Sequence, residues 1–306
     1  MLTVLGPSPS IDITYVVDDY RLGEIHRPTC VARCAGGKAL NMARAARRMG
    51  ADVALTTVVG GSSGDWIVTE LEAEGVRTST ATSATETRTC VSVASTATGT
   101  LTEVYEHAPR TEPEAWQELL ERTAALLADR PGWLSTSGSM PRNLPEDTVA
   151  GVVRTGHRHG AAVAVDSAGP ALHAALTERP ELVKVNRGEA AAELGVDPSG
   201  DLGAMARQLA ERSGGHVVLT DGADGALGWD GQTLVRASLP GVHGGFPVGS
   251  GDSFLGGLLT CLDRGDALAE ALRWATACGT ANALVPGAGR FDAATVAELA
   301  EQVQLS

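Results

Sequence analysis

The chain has 306 residues, 43% of them hydrophobic and 20% charged, with a net charge of −13. That apolar content suffices for one large α/β core. The acidity argues against a nucleic-acid surface, which needs basic stripes, but not against a small anionic ligand held by a few focused cations.

Taken in order, the elements begin with a strand at Leu2–Leu5 and two alternating runs, Ile11–Val17 and Thr29–Cys34. A helix over Lys38–Met49, a strand at Val53–Val59 and a helix over Ser63–Glu74 follow. Two further alternating runs, Thr89–Ser95 and Thr102–His107, flank the turn-rich TATGTL, a hairpin signal. Beyond them helices are expected at Glu114–Ala128, Glu146–His159 and Leu202–Ser213. The strands between and after them are Trp133–Ser135, Ala162–Asp166, Leu182–Val185 and Val217–Thr220. Two helices, Asp252–Asp263 and Ala267–Leu284, close the pattern. Short apolar strands joined by helices predict a mainly parallel sheet covered on both faces. The alternating runs lack intervening helices and predict a small antiparallel sheet projecting from the body at about 11–34 and 88–107, usable as a lid or a dimer surface. No linker or low-complexity stretch divides the chain, so a single domain over 1–306 is expected.

The five cysteines (Cys30, Cys34, Cys90, Cys261 and Cys278) have no CxxC or zinc spacing and are expected as reduced, buried thiols of a cytoplasmic protein. The strand-like MLTVL lacks a basic n-region and a long apolar h-region, and no apolar run approaches membrane-spanning length, so no membrane partner is expected. The seven histidines form no ligand-spaced cluster.

Two stretches carry chemistry. In FPVGSGDSFLGGLLTCL, Gly249 and Gly251 flank Ser250, and Asp252 opens a helix with Phe254, Leu255, Leu258, Leu259 and Leu262 at helical spacing. Glycines let the backbone turn its N–H groups toward one point, and the helix N-terminus adds positive partial charge there. The result is an anion hole with a carboxylate at its edge, suited to a transferring phosphoryl group and to a hydroxyl proton. In CAGGKALNMARAARRMG, Gly36 and Gly37 permit close backbone approach, while Lys38 and Asn41 start a helix that can face the same cleft; the Walker A spacing is absent. Each stretch alone also reads as ordinary structure, an N-cap aspartate in one and a loop-to-helix junction in the other.

In this order the two stretches resemble the two signature regions of the PfkB (ribokinase-like) carbohydrate kinases, closest to the branch of 1-phosphofructokinases and tagatose-6-phosphate kinases. PSIDITYVVD, GGSSGDWIVTELEAEGV, ETRTCVSV, STSGSMP, VAVDSAGPAL, LVKVNRGEA and LTDGADGAL extend the match over essentially the whole chain. The resemblance implies a three-layer ribokinase-like fold with a small β lid and transfer of the γ-phosphoryl group of ATP, with Mg²⁺, to a hydroxyl of a phosphorylated ketohexose. It implies Asp252 as base and Gly249, Ser250 and Gly251 as the γ-phosphate cradle. Asp12, Gly37 and Asn41 would hold sugar hydroxyls. Lys38, Arg88 and Ser139 would meet the substrate's existing phosphate, with Arg27 a weaker candidate. Asn186 and Glu189 match the N-x-x-E element that organises Mg²⁺ and phosphates through water. Thr220, Gly222 and Gly225 fall where the nucleotide lies, and Asn282 lies in the helix that borders the adenine. The lid strands also make a homodimer through the lid an expectation.

The chain departs from the family pattern at Ser8, Ala39, Val185 and Phe246, the last standing where ribokinases carry a polar residue near a monovalent cation. These departures leave the sugar open between fructose 1-phosphate, tagatose 6-phosphate, fructose 6-phosphate and an unphosphorylated sugar or nucleoside, and a sugar-phosphate sensor without turnover is the alternative of another class. A hydrolase reading rests on Gly60–Gly64, which satisfies G-x-S-x-G around Ser62, and requires a late histidine such as His243. The GDSF mimic at Ser253 has no histidine after it and fails.

Overall fold

In the computed structural model, which describes residues 1–306, the chain opens on β1 (Leu2–Gly6), β2 (Ser10–Val17), β3 (Cys30–Gly36) and α1 (Lys38–Arg48). Next come β4 (Val53–Val59), α2 (Gly61–Ala73), β5 (Arg77–Thr82), β6 (Thr89–Ser95) and β7 (Thr100–Tyr105). Helix–strand alternation resumes with α3 (Pro113–Asp129), β8 (Trp133–Ser137), α4 (Thr148–Arg158), β9 (Ala162–Asp166), α5 (Pro170–Leu176), β10 (Leu182–Asn186) and α6 (Arg187–Leu194). The remainder comprises α7 (Leu202–Ser213), β11 (His216–Thr220), β12 (Ala226–Trp229), β13 (Leu234–Ser238), α8 (Ser250–Arg264), α9 (Leu268–Ala283), α10 (Ala293–Ala300) and β14 (Gln304–Leu305).

A ten-stranded sheet runs in the order β14-β13-β12-β11-β10-β9-β8-β1-β4-β5. From β11 to β5 all neighbours are parallel, and β12, β13 and β14 add an antiparallel edge. The Val/Leu runs of β1 and β4 are buried at every position, as strands covered on both faces must be. Leu2 and Val4 pack with α1, α8, α9 and α10 in one apolar cluster. Leu5 turns to the other face and joins α3, α4, α5 and α7 in the second. The architecture is therefore the expected three-layer α/β one. No helix is long and apolar enough to cross a membrane.

The lid is a separate four-stranded sheet, β3-β2-β6-β7. Its two pairs, β2–β3 and β6–β7, are antiparallel as expected, and they are joined through a parallel β2–β6 pairing. The reason is topological: the chain leaves the main sheet after β1 and again after β5, both parallel strands, so the two outgoing strands enter the lid in the same direction. This register sets Asp12 between Cys34 and Cys90. Those two cysteines, Cys261 and Cys278 are buried as expected, whereas Cys30 is exposed because the first residues of β3 are open to solvent.

Helix α8 starts at Ser250, two residues before the predicted start, because Gly249 adopts the left-handed conformation (φ 81°) and serves as N-cap. Its glycines then set the packing: a methyl at Gly256 would lie 2.7 Å from the Met42 carbonyl oxygen of α1. That close approach places the first turns of α1 and α8 side by side.

Candidate active site

Where those first turns meet, Asn41 Nδ2 donates to Asp252 Oδ2 at 2.9 Å, joining residues 211 apart in sequence. Asp252 is only 7% exposed. Burial pushes its carboxyl up from 3.8 to about 6; the Asn41 hydrogen bond and the nearby Lys184 and Lys38 oppose the rise, and Asp166 adds to it. The group is thus ionised at neutral pH yet poised near it, the condition for accepting a proton efficiently.

The turn beside it is tightly built. Gly249 lies against Ala288, whose Cβ would be 2.3 Å from a methyl added at the glycine. Ser250 N donates back to the Pro247 carbonyl at 3.1 Å, while the amides of Gly251 and Asp252 find no acceptor within the protein. The Ser250 amide is thus used within the turn, and the Gly251 and Asp252 amides remain available. Asn282 is corrected more fully. It is wholly buried, donating to Val248 O (2.8 Å) and Ser250 Oγ (3.2 Å) and accepting from Gly289 N (2.7 Å) and Ser253 Oγ (3.0 Å). With both ends of its amide engaged it staples the loop that shapes the turn and does not line the nucleotide cleft.

Two cations converge on one carboxylate. Asp166, 1% exposed at the end of β9, holds Lys184 Nζ at 3.0 Å and Lys38 Nζ at 3.8 Å. Asp166 is also the main reason that the Lys38 ammonium is held above its ordinary value. Lys184 carries no assignment from the sequence pattern, yet its ammonium would lie 3.2 Å from a methyl at Gly251. A compositional signal marks it: of the 24 lysines and arginines only Lys38 and Lys184 are lysines, and the fold brings both to Asp166. A compact ammonium that can swing between acceptors suits that place better than a planar guanidinium.

On the lid side, Asp12 accepts from Ser10 Oγ at 2.6 Å and from Gly37 N at 3.4 Å, and burial raises its carboxyl above the ordinary value. A side chain at Gly36 would fall on the Asp12 carboxylate, and Gly37 needs its positive φ of 100°. Arg88 lies close enough for its charge to act on Asp12. Its guanidinium donates to the carbonyls of Glu106 (3.0 Å) and Ser8 (3.3 Å), with Nε buried and unpartnered. Ser139 is exposed, next to Gly138, which abuts Lys38. Arg27 is exposed in the 18–29 connection and makes no hydrogen bond or ion pair. Of the departures, Ala39 turns its methyl onto Gly6, Val185 is a core residue, and Phe246 borders a small cavity of about 20 Å³ together with Asp12.

A cleft of about 430 Å³ opens on the other side of the turn, lined by Asn186, Thr220, Gly222, Gly225, Ser250 and Gly251 among others. Gly225 (φ 92°) lets this backbone pass the Ala237 carbonyl, 2.1 Å from where a methyl would sit. Glu189 does not line the cleft. It forms a capping box with Asn186, accepting from Asn186 N at 2.8 Å, and its second oxygen is left over. No three His, Cys, Asp or Glu residues are grouped to hold a metal directly. Ser62 faces the Glu86 carboxylate at 3.4 Å and no histidine, which removes the hydrolase reading.

A model of the pfkB family of carbohydrate kinases matches residues 2–294. The chain belongs to this family. It is accordingly an ATP-dependent carbohydrate kinase. Among solved structures, phosphofructokinase-2 from Escherichia coli in complex with substrates and products is 25% identical, with a TM-score of 0.91 and 98% of each chain covered. The tetrameric inhibited form of the same enzyme matches at a TM-score of 0.89, again at 25% identity and 98% of each chain. A Thermotoga maritima structure described as a possible 1-phosphofructokinase shares the fold at a TM-score of 0.88 and 21% identity, covering 100% of this chain and 99% of that one.

Proposed function

We propose that this kinase phosphorylates a ketohexose phosphate of the fructose 1-phosphate or tagatose 6-phosphate type, with Asp252 as general base. The observation that carries the proposal is the buried Asp252 carboxylate, oriented by Asn41 beside two free amides and within reach of the charge of the only two lysines of the chain. The complex of the Escherichia coli enzyme with fructose-6-phosphate makes fructose 6-phosphate the second candidate.

In this reading the nucleotide lies along the cleft of Asn186, Thr220, Gly222 and Gly225, with its terminal phosphate at the Gly251 and Asp252 amides. The sugar lies between Asp12, Gly37, Lys38, Asn41 and Arg88, its own phosphate toward Lys38, Arg88 and Ser139. The acceptor hydroxyl gives its proton to Asp252 as its oxygen bonds to the γ-phosphorus and the bond to the ADP oxygen breaks. The Gly251 and Asp252 amides and the two ammonium groups offset the charge on the transferring oxygens. The spare Glu189 oxygen would help to hold Mg²⁺, which would supply neutralisation of the phosphate charge. Closure of the lid excludes the water that would otherwise accept the phosphoryl group. The lid exterior carries Val31, Val104 and, in the adjoining loop, Leu22 and Ile25 exposed, and this surface supports a homodimer. Five unpaired cysteines suit the cytoplasm.

The test is a coupled ADP-release assay over ketose phosphates and free sugars, with and without potassium. Turnover confined to the phosphorylated ketoses is expected. Asp252→Asn should lower kcat by about 10³-fold or more with ATP affinity retained. Near-normal kcat removes Asp252 from its role, and sugar-phosphate binding without ADP release in the unmodified enzyme refutes turnover of that sugar.

A further inference from the structure

Behind the Asn41–Asp252 pair lies a charged residue that no substrate can reach. Arg44, one helical turn after Asn41 on α1, is 1% exposed, and every nitrogen of its guanidinium is committed. Nη1 donates to Asn41 Oδ1 at 3.3 Å and to the Ala288 carbonyl at 3.0 Å. Nη2 donates to the Ala35 carbonyl at 2.5 Å, and Nε to Glu74 Oε2 at 2.5 Å. Arg290 bonds the other Glu74 oxygen at 3.0 Å, so the carboxylate is itself fixed between two guanidiniums.

The consequence concerns the polarity of an amide. A carboxamide has one donor end and one acceptor end, and rotation by half a turn exchanges them. Turned the wrong way, Asn41 would set its oxygen against the Asp252 carboxylate. A guanidinium only donates, so Arg44 can accept only the arrangement in which the Asn41 oxygen faces it and the NH₂ faces Asp252. The other two bonds reach the segments that complete the site. Ala35 is near the end of lid strand β3, and Ala288 is the residue packed against the Gly249 turn. An ammonium with a compact charge could not meet acceptors on α1, α2, β3 and the 288 loop at once; a planar fork can.

We propose that Arg44 is a positioning residue for phosphoryl transfer: it locks the Asn41 carboxamide so that its NH₂ is presented to Asp252, and it clamps the lid strand to the loop behind the anion-binding turn. The inference rests on Asp252 being the base. Besides Asn41, the charged groups acting on Asp252 are Asp166, Lys184 and Lys38, and none of them bonds Arg44, so the side-chain route from Arg44 to the Asp252 carboxyl is Asn41, while the Ala35 and Ala288 bonds act on the lid strand and the turn.

The experiment is a double-substitution cycle of Arg44→Lys and Asn41→Ala in the full-length enzyme, reading kcat, both KM values and the acid limb of kcat/KM, with Asp252→Asn as control and thermal unfolding as the measure of folding. Arg44→Lys alone should lower kcat about 10- to 100-fold and move the acid limb up by about half a pH unit, because Asn41 no longer holds the ionised form of Asp252. In the Asn41→Ala background the same change should leave the acid limb where Asn41→Ala has put it. A lowered melting temperature with the acid limb unmoved, or an acid-limb shift that persists in the Asn41→Ala background, overturns the proposal and leaves Arg44 a fold staple. If Arg44→Lys does not fold, Glu74→Gln, which frees the guanidinium on one side, is judged by the same criterion, with a smaller upward movement expected and an unmoved limb refuting. An active Asp252→Asn control shows instead that the base assignment has failed.

Discussion

Replacing the Asp252 carboxylate by a carboxamide should make the protein more stable while making it inactive. The carboxyl is raised from 3.8 to about 6 by burial. At about 1.4 kcal/mol per pH unit, keeping it ionised in the folded protein costs about 3 kcal/mol. The sign follows from linkage: the folded state binds the proton more tightly than the unfolded one. The cost is therefore fully present above pH 6, shrinks as the pH falls through 6, and vanishes below 3.8. Asparagine keeps the shape and can turn its oxygen to the Asn41 NH₂. It also removes a counter-charge from Lys38 and Lys184, so about 3 kcal/mol is a ceiling and a gain of about 1–2 kcal/mol is expected. For a chain of this size that is about 2–4 °C in melting temperature. Thermal unfolding of both proteins should be followed from pH 4 to pH 8 without ligands. The variant should melt higher at pH 8, and the gap should narrow toward pH 4. A variant that is less stable at pH 8, or a gap that does not change with pH, refutes the claim that burial of a charge sets the state of Asp252.

The same carboxylate sets the pH dependence of turnover: kcat/KM should fall about tenfold per unit below pH 6, and activity that persists undiminished at pH 5 would exclude Asp252 as the titrating base. Arg88→Ala should raise KM for a phosphorylated sugar about tenfold or more, with KM for ATP little changed; an unaltered sugar-phosphate KM would confine Arg88 to its bonds with Ser8 and Glu106. Gly249→Ala forces a methyl into a left-handed turn (φ 81°) against Ala288. Urea unfolding should show a loss of about 2–4 kcal/mol together with reduced kcat, and a neutral substitution would mean that the turn is not under that constraint.

Six strands of the main sheet (β1, β4, β8, β9, β10 and β11) were legible as short runs separated by amphipathic helices, and the lid was legible because its strands alternate with period two, whereas the polar β5 and the antiparallel β12 and β13 were not expected. Nor were the short elements. Helix α5 has seven residues and α6 and α10 eight each, lengths that are marginal without tertiary packing. Strand β14 exists only through its pairing with Ala237 and Ser238. In the site, the two glycine-rich stretches were visible one by one, but nothing local shows that Asn41 and Asp252 touch across 211 residues. Arg44 was missed because an arginine on a helix ordinarily reads as solvated; its burial follows from four acceptors contributed by distant segments. Asn282 was placed beside the nucleotide by the family resemblance, whereas its amide is taken up by Val248 before α8 and Gly289 after α9.

Arginine has displaced lysine everywhere except around Asp166, which gives the protein an unusual chemical handle. Its primary amines are the N-terminus, already paired with Asp263, the half-exposed Lys38 and the buried Lys184. Reagents that acylate or alkylate amines on most proteins decorate the surface at random; here they would report on the cleft. With the sugar site placed as proposed, labelling at Lys38 becomes a readout of its occupancy, and immobilising the enzyme through its amines would silence it.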